Sequence, residues 1–206
     1  KNFLKKFLKS FFKKPSVPTS SESEIGKYMP EEEDPIEERF TYNFTKNGGK
    51  FLYCENRGEC DDFFNKILEE NGWENVEILC YDKSLLELIP KKSELIVSKT
   101  NLNSKFFLTT CEFLVATDGS LLICAEQIKS HKVNDLPKNF IVFAKISQFT
   151  DTLSLGLNGI KSKYPKNLPT NITTIKNFNS DEKENTNFLT YGSSAKNLYL
   201  LLLEDL

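Results

Sequence analysis

The chain has 206 residues, with 27 Lys+Arg against 29 Asp+Glu and a net charge of -2. That length suits one domain with a tail, and so even a charge balance argues against a nucleic-acid-binding protein, whose footprint is a strong basic excess. No apolar run reaches the roughly 20 residues a membrane-spanning helix needs, and lysines break up the early apolar residues, so no secretory leader is expected and a cytoplasmic location is.

Charge is unevenly spread. Residues 1–14 (KNFLKKFLKSFFKK) carry six lysines and no acid, whereas residues 15–39 carry eight acids against Lys27 and Arg39. In the first segment Phe3, Leu4, Phe7, Leu8, Phe11 and Phe12 recur at helical spacing, with Lys5, Lys6, Lys9 and Lys13 on the flanks and Pro15 as a stop. This predicts a basic amphipathic helix. It suits an anionic membrane surface, a partner protein, or a tail docked on its own domain. Residues 15–35 are rich in Pro, Ser and Glu and read as a linker. The folded domain is expected over 36–206.

Within it the pattern alternates. Residues 36–47 read as a helix capped by Gly48-Gly49, and 50–54 (KFLYC) as a strand. Residues 59–71 read as a helix with Phe63, Phe64, Ile67 and Leu68 on one face, closed by Gly72. A strand at 76–81, a short helix at 83–89 before Pro90, and a strand at 94–98 follow. Such a rhythm predicts an α/β fold with a parallel sheet. Residues 111–127 then read as strand, Asp-Gly turn, strand. A strand at 140–145, a helix at 147–163 with Leu153, Leu157 and Ile160 inward, an exposed loop at 176–187 and a buried strand at 198–205 complete the chain.

The five cysteines, at 54, 60, 80, 111 and 124, form no CxxC, and the only histidine is His131. Zinc-ribbon, redox-pair and iron–sulfur readings therefore lose their main support, and no cofactor or metal is expected. Free, mostly buried thiols and a solvated His131 in a lysine-flanked loop are the plain expectation.

Three polar groups are candidate sites. Thr117, Asp118, Gly119 and Ser120 form a hairpin turn that could also present N–H and hydroxyl donors to an anion. Asn171, Thr173 and Thr174 could line a pocket or form an ordinary edge strand. Gly192, Ser193, Ser194 and Lys196 could cradle a phosphate or carboxylate, although they lack P-loop spacing.

The order of EFLVATDGSLLI, LPKNFIVFAKISQF, a helix and YGSSAKNLYLLLLED is similar to the lactate-utilisation (LUD) domain family, in its lactate-utilisation protein C group. The resemblance implies an open Rossmann-like, mostly parallel α/β sheet, similar to the sugar-phosphate isomerase and CoA-transferase-like superfamily. It also implies a role in oxidising L-lactate to pyruvate beside iron–sulfur partner proteins, in a chain that is not itself the cluster carrier. The family turn usually reads Ala-Asp-Thr-Gly, where this chain has Ala116-Thr117-Asp118-Gly119. CoA-transferases of the superfamily use a glutamate nucleophile in a comparable strand-end turn. Here that turn offers only Asp118, one methylene shorter, which disfavours CoA transfer.

Three functions follow as expectations. One is an accessory or subunit protein of L-lactate utilisation. Another is a non-catalytic module holding a small anionic metabolite between the 117–120 and 192–196 turns. The last is a membrane-surface scaffold acting through residues 1–14.

Overall fold

The computed structural model describes residues 34–87, 89, 94–178 and 196–205. The expected amphipathic helix at 1–14, almost all of the linker, and Gly192, Ser193 and Ser194 lie outside the described residues.

Strands that are apolar on both faces must be covered on both sides, and this sets the layering. The elements run α1 (Ile36–Lys46), β1 (Lys50–Cys54), α2 (Arg57–Asn71), β2 (Glu77–Leu79), α3 (Lys83–Leu86), β3 (Ile96–Ser98), β4 (Phe106–Thr110), β5 (Phe113–Val115), β6 (Ser120–Ile123) and α4 (Ala125–Ile128). They continue with β7 (Asn139–Lys145), β8 (Phe149–Thr150), α5 (Leu153–Lys163), β9 (Thr173–Ile175) and β10 (Asn197–Leu203). Six strands form a parallel sheet in the order β1-β10-β7-β4-β2-β3, an open Rossmann-like α/β arrangement.

Side chains alternate across this sheet as the two-residue strand period requires. Phe107, Phe140, Val142, Leu198 and Leu200 join one core, shared with Phe40 and Phe44 of α1. Phe106, Leu108, Ile141, Phe143 and Leu201 join the other, shared with Phe64, Ile67 and Leu68 of α2 and with Trp73. Asn56 caps α2 by accepting from Glu59 N at 3.0 Å, and Gly72 closes it at φ 63°.

A second sheet of four strands, β8-β5-β6-β9, packs on the α1 side. The 111–127 hairpin is antiparallel β5–β6, and Thr173–Ile175 is the edge strand beside it. This second sheet differs from the expectation of one open sheet. The 147–163 helix is also shorter than expected. Phe149–Thr150 instead pairs in parallel with Leu114–Val115, and α5 begins only where Thr152 Oγ1 accepts from Leu155 N at 3.3 Å. Leu153 is consequently exposed rather than inward, while Ile160 is buried.

Candidate functional site

Every strand of the six-stranded sheet ends at the same edge, because all are parallel. Chain direction also reverses there: β2 leads outward to β3 at one rim, and the chain returns past β2 to β4, then progresses to β7 and β10. In open α/β sheets the crevice outside the carboxyl ends of the strands, at such a switch point, is where ligands bind. Here that edge holds a cleft of about 720 Å³. It is walled by Tyr81 and Asp82 after β2, by Thr109–Glu112 at and beyond the end of β4, and by Phe143–Lys145 of β7.

Five cationic side chains face it, Arg57, Lys83, Lys129, Lys145 and Lys163, against the three acids Asp82, Glu112 and Glu126. The excess is positive although the chain is negative overall. A concave, partly desolvated site concentrates that field on an anion. Among the described residues no three His, Cys, Asp or Glu side chains are grouped to hold a metal ion.

Glu112 organises one wall. It lies where the chain leaves β4 for β5, and its side chain is fully buried. Lys163 Nζ donates to Oε2 at 2.8 Å, while Gln127 Nε2 at 2.8 Å and Tyr164 OH at 3.1 Å donate to Oε1. Burial alone would push the carboxyl up. The Lys163 and Gln127 hydrogen bonds, the Lys163 charge and the Tyr164 hydrogen bond outweigh it and hold Glu112 below the ordinary carboxylate range. The same partnership lifts Lys163 above its ordinary value against the opposing effect of burial. With donors on both oxygens, this carboxylate fixes Lys163 and Tyr164 at the rim rather than presenting a free nucleophile.

Two further features mark the cleft lining. Tyr81 OH is buried and, among the described residues, has no hydrogen-bond partner, an uncommon state for a polar atom. Lys129 adopts φ 55°, a conformation that costs energy for a side-chain-bearing residue. Asn171 pins that loop by donating Nδ2 to the carbonyls of Lys129 at 3.2 Å and His131 at 2.8 Å. His131 is half-buried and not a free surface ring: it stacks on Tyr81 at 6.2 Å between centroids and 10° between planes.

None of the described candidate residues named from sequence lines this cleft. Thr117–Ser120 lies against the end of α1, on the side where strand β1 begins. Its donors are engaged internally: Thr117 N to Asp151 O at 3.0 Å, Gly119 N to Val115 O at 2.9 Å, and Ser120 N and Oγ to Asp118 Oδ1 at 3.1 and 2.7 Å. Asn47 Nδ2 in turn donates to Asp118 O at 2.7 Å. Thr173 and Thr174 stand half-buried on the edge strand β9. Lys196 precedes β10, and its backbone N donates to Asn177 O at 3.1 Å, one residue from Lys176, which pairs with Asp118 at 3.7 Å. The structure thus brings Lys196 and the 117–120 turn to one side of the sheet, opposite the cleft.

A family model described as the LUD domain matches residues 37–203. The chain belongs to the LUD domain family. No protein of curated function matches it. A crystal structure of a DUF162 family protein from Deinococcus radiodurans is similar in fold, with a TM-score of 0.57 and 12% sequence identity over 82% of this chain and 96% of that one.

In this LUD domain Lys196 is a buried cation. It is 1% exposed, and Nζ donates to Leu136 O at 2.9 Å and Pro137 O at 3.2 Å. Burial lowers its pKa from 10.5 to about 8, against the pull of Asp135. The unfolded chain therefore holds this proton more tightly than the folded one between those values. Stability is expected to rise with pH across that window. Urea midpoints from pH 7.5 to 10.5 check this, because Lys196→Met should flatten the rise; an identical slope in both proteins would refute the assignment.

Proposed function

We propose that this LUD domain binds a small anionic metabolite in the cleft at the carboxyl edge of its sheet and serves the oxidation of L-lactate to pyruvate beside iron–sulfur partner proteins. One observation carries the binding reading: five cationic side chains converge on a switch-point cleft in a chain of net negative charge. The family's association with lactate utilisation supports the pathway. Tyr81 OH, buried without a partner, suits a hydrogen bond to the ligand. Among the described residues no helix is long and apolar enough to cross a membrane. Residues 1–14, with six lysines and a Phe-rich stripe, suit peripheral attachment to an anionic membrane surface.

Thermal melts of the full chain against L-lactate, pyruvate, phosphate, a sugar phosphate and CoA test the binding. A ligand present at 100 times its Kd stabilises the folded state by about 2.7 kcal/mol, worth roughly 5–10 °C at this size. Lys83→Glu should abolish the shift. Tyr81→Phe should weaken it while leaving the unliganded melting temperature equal or higher, since removing a buried unpaired hydroxyl sacrifices no hydrogen bond and relieves its desolvation cost. Identical melting across the panel would sink the binding reading. Growth of a deletion strain on L-lactate tests the pathway separately, and normal growth would refute that part alone.

A further inference from the structure

A second concavity lies away from the cleft and shares none of its lining residues. It is a groove of about 430 Å³ at the outer edge of the six-stranded sheet. α1 and α2 pack on opposite faces there and supply its sides, Thr41 and Thr45 from one and Phe63 and Ile67 from the other. Leu52 of β1 and Tyr199 of β10 lie between them. Two lysines also line the groove, but their charges are turned aside. Lys50 Nζ donates to Asn197 Oδ1 at 2.9 Å and Tyr199 OH at 3.0 Å, and Lys66 Nζ sits over the Phe63 ring at 5.4 Å.

This edge is also unguarded. β1 is five residues long and, among the described residues, pairs only with β10, so one side of its backbone presents unpaired N–H and C=O groups. Folded proteins shorten such an edge, charge it, or cover it with their own chain. The opposite edge, β3, has only three residues. β1 is longer, and its one charged residue, Lys50, is directed at β10. Residues 1–14 supply what would cover it. Phe3, Phe7 and Phe11 recur every four residues and share one side of a helix. The lysines beside them complement α2, which carries Glu59, Asp61, Asp62, Glu69 and Glu70 against Arg57 and Lys66 and leaves Asp62, Glu69 and Glu70 exposed. Reach is not limiting. The described chain starts at residue 34, just before α1. Residues 15–33 span up to about 60 Å when extended, against about 16 Å for the whole of α1. Such a tether holds the segment at an effective concentration on the order of millimolar.

We propose that residues 1–14 dock on their own domain, with the Phe3, Phe7 and Phe11 stripe in this groove and the lysines against the acidic face of α2. Docking covers the free edge of β1 and removes the Phe side chains from water. The stripe is the same one that suits an anionic membrane surface. A membrane therefore takes the segment only by drawing it out of the groove, and the two states exclude each other. None of this depends on ligand binding in the cleft.

Replacing Phe7 of the full chain by the photoreactive p-benzoylphenylalanine tests this in lipid-free solution. Irradiation is expected to join position 7 to residues 41–52 or 63–70 within a monomer, as read by peptide mapping. Phe3→Asp with Phe11→Asp should lower the yield of that product about tenfold, since the stripe is what seats the segment. An unchanged yield would show that the tether alone brings the two together, and would overturn the proposal. Glu70→Lys should lower the yield at low salt and matter less at about 1 M, where charges more than roughly 3 Å apart are screened. Amide exchange in the otherwise unaltered chain gives a second readout. Residues 50–54 should exchange about tenfold faster once Phe3→Asp and Phe11→Asp are present, and equal exchange would overturn the docking. Both Asp substitutions lie outside the folded domain, so its folding is not at stake. A product found only as a covalent dimer would assign the groove to a second copy. A product found only on lipid in phosphatidylglycerol vesicles, with none on the domain in their absence, would assign the stripe to the membrane. Either result would overturn the proposal.

Discussion

Gly119→Ala is expected to destabilise the domain by about 2–5 kcal/mol, a large part of a typical domain's stability. Two independent costs combine. Gly119 sits at φ 66°, where an L side chain meets its own backbone. A Cβ there would also collide with backbone atoms of Asn43 and Phe44, which cannot swing aside as a side-chain tip could. Asn43 Nδ2 donates to Ala116 O at 2.9 Å, so the turn and the end of α1 are tied at the very point that would have to separate. Gly72→Ala isolates the first cost. Gly72 has φ 63° but nothing within 4 Å of an added Cβ, so only the conformational penalty of about 1–2 kcal/mol applies. Urea denaturation of both variants checks the argument. Equal losses at the two positions would show that the close approach of α1 contributes nothing.

Lys163→Met is expected to cost about 2–4 kcal/mol at pH 7, with a pH dependence that identifies the cause. Lys163 is itself more than half exposed, so the loss comes from Glu112, whose buried carboxylate is left without its cation. In the native chain Glu112 is held below its ordinary value. Its contribution is therefore present above the unfolded carboxylate pKa and is lost as pH falls through the folded one. In the variant burial dominates and the sign reverses: the folded pKa rises, stability is complete below the unfolded pKa, and it is lost as pH rises through the folded value. The gap between the two proteins should accordingly narrow from pH 7 to pH 4. A gap independent of pH, measured by urea midpoints, would mean that Lys163 stabilises by packing alone. Cleft occupancy should respond too, because Lys163 and Tyr164 both hang from this carboxylate.

The 117–120 turn shows why the candidate site was only partly legible. Asp-Gly between apolar runs announces a tight turn with a left-handed residue, and that is what forms. Nothing local to those residues tells which neighbour the turn will meet, and it meets α1, some 70 residues earlier in the chain. There its carbonyls accept from Asn43 and Asn47, while its own donors are spent on Val115, Asp151 and the Asp118 side chain. Glu112 is the converse case. Residues 106–115 run without a glycine or proline, so the segment carries no mark of a break. The only signal is a lone acid between apolar runs, a conflict between residue type and surroundings of the kind that functional and structural sites tolerate. In the structure that acid stands where the chain passes from the six-stranded sheet to the four-stranded one. β4, central in the main sheet, went unmarked because nothing local separates it from the strand expected from residue 111 onward.

Sequence by itself determined the α/β class, the LUD resemblance, the alternation of strands and helices, the β5–β6 hairpin and the last buried strand. The resemblance rests on the order of short motifs along the chain, and the others on periodicity, capping or turn chemistry, which act within a few residues. Tertiary structure alone decided the strand order, the split into two sheets, the burial of Lys196 and the cleft. Arg57, Lys83, Lys129, Lys145 and Lys163 are scattered over more than a hundred residues, and they share one surface only because parallel strands end at a common edge. Local pattern sets which residues face a core, whereas long-range packing sets which polar residues are left to face one another.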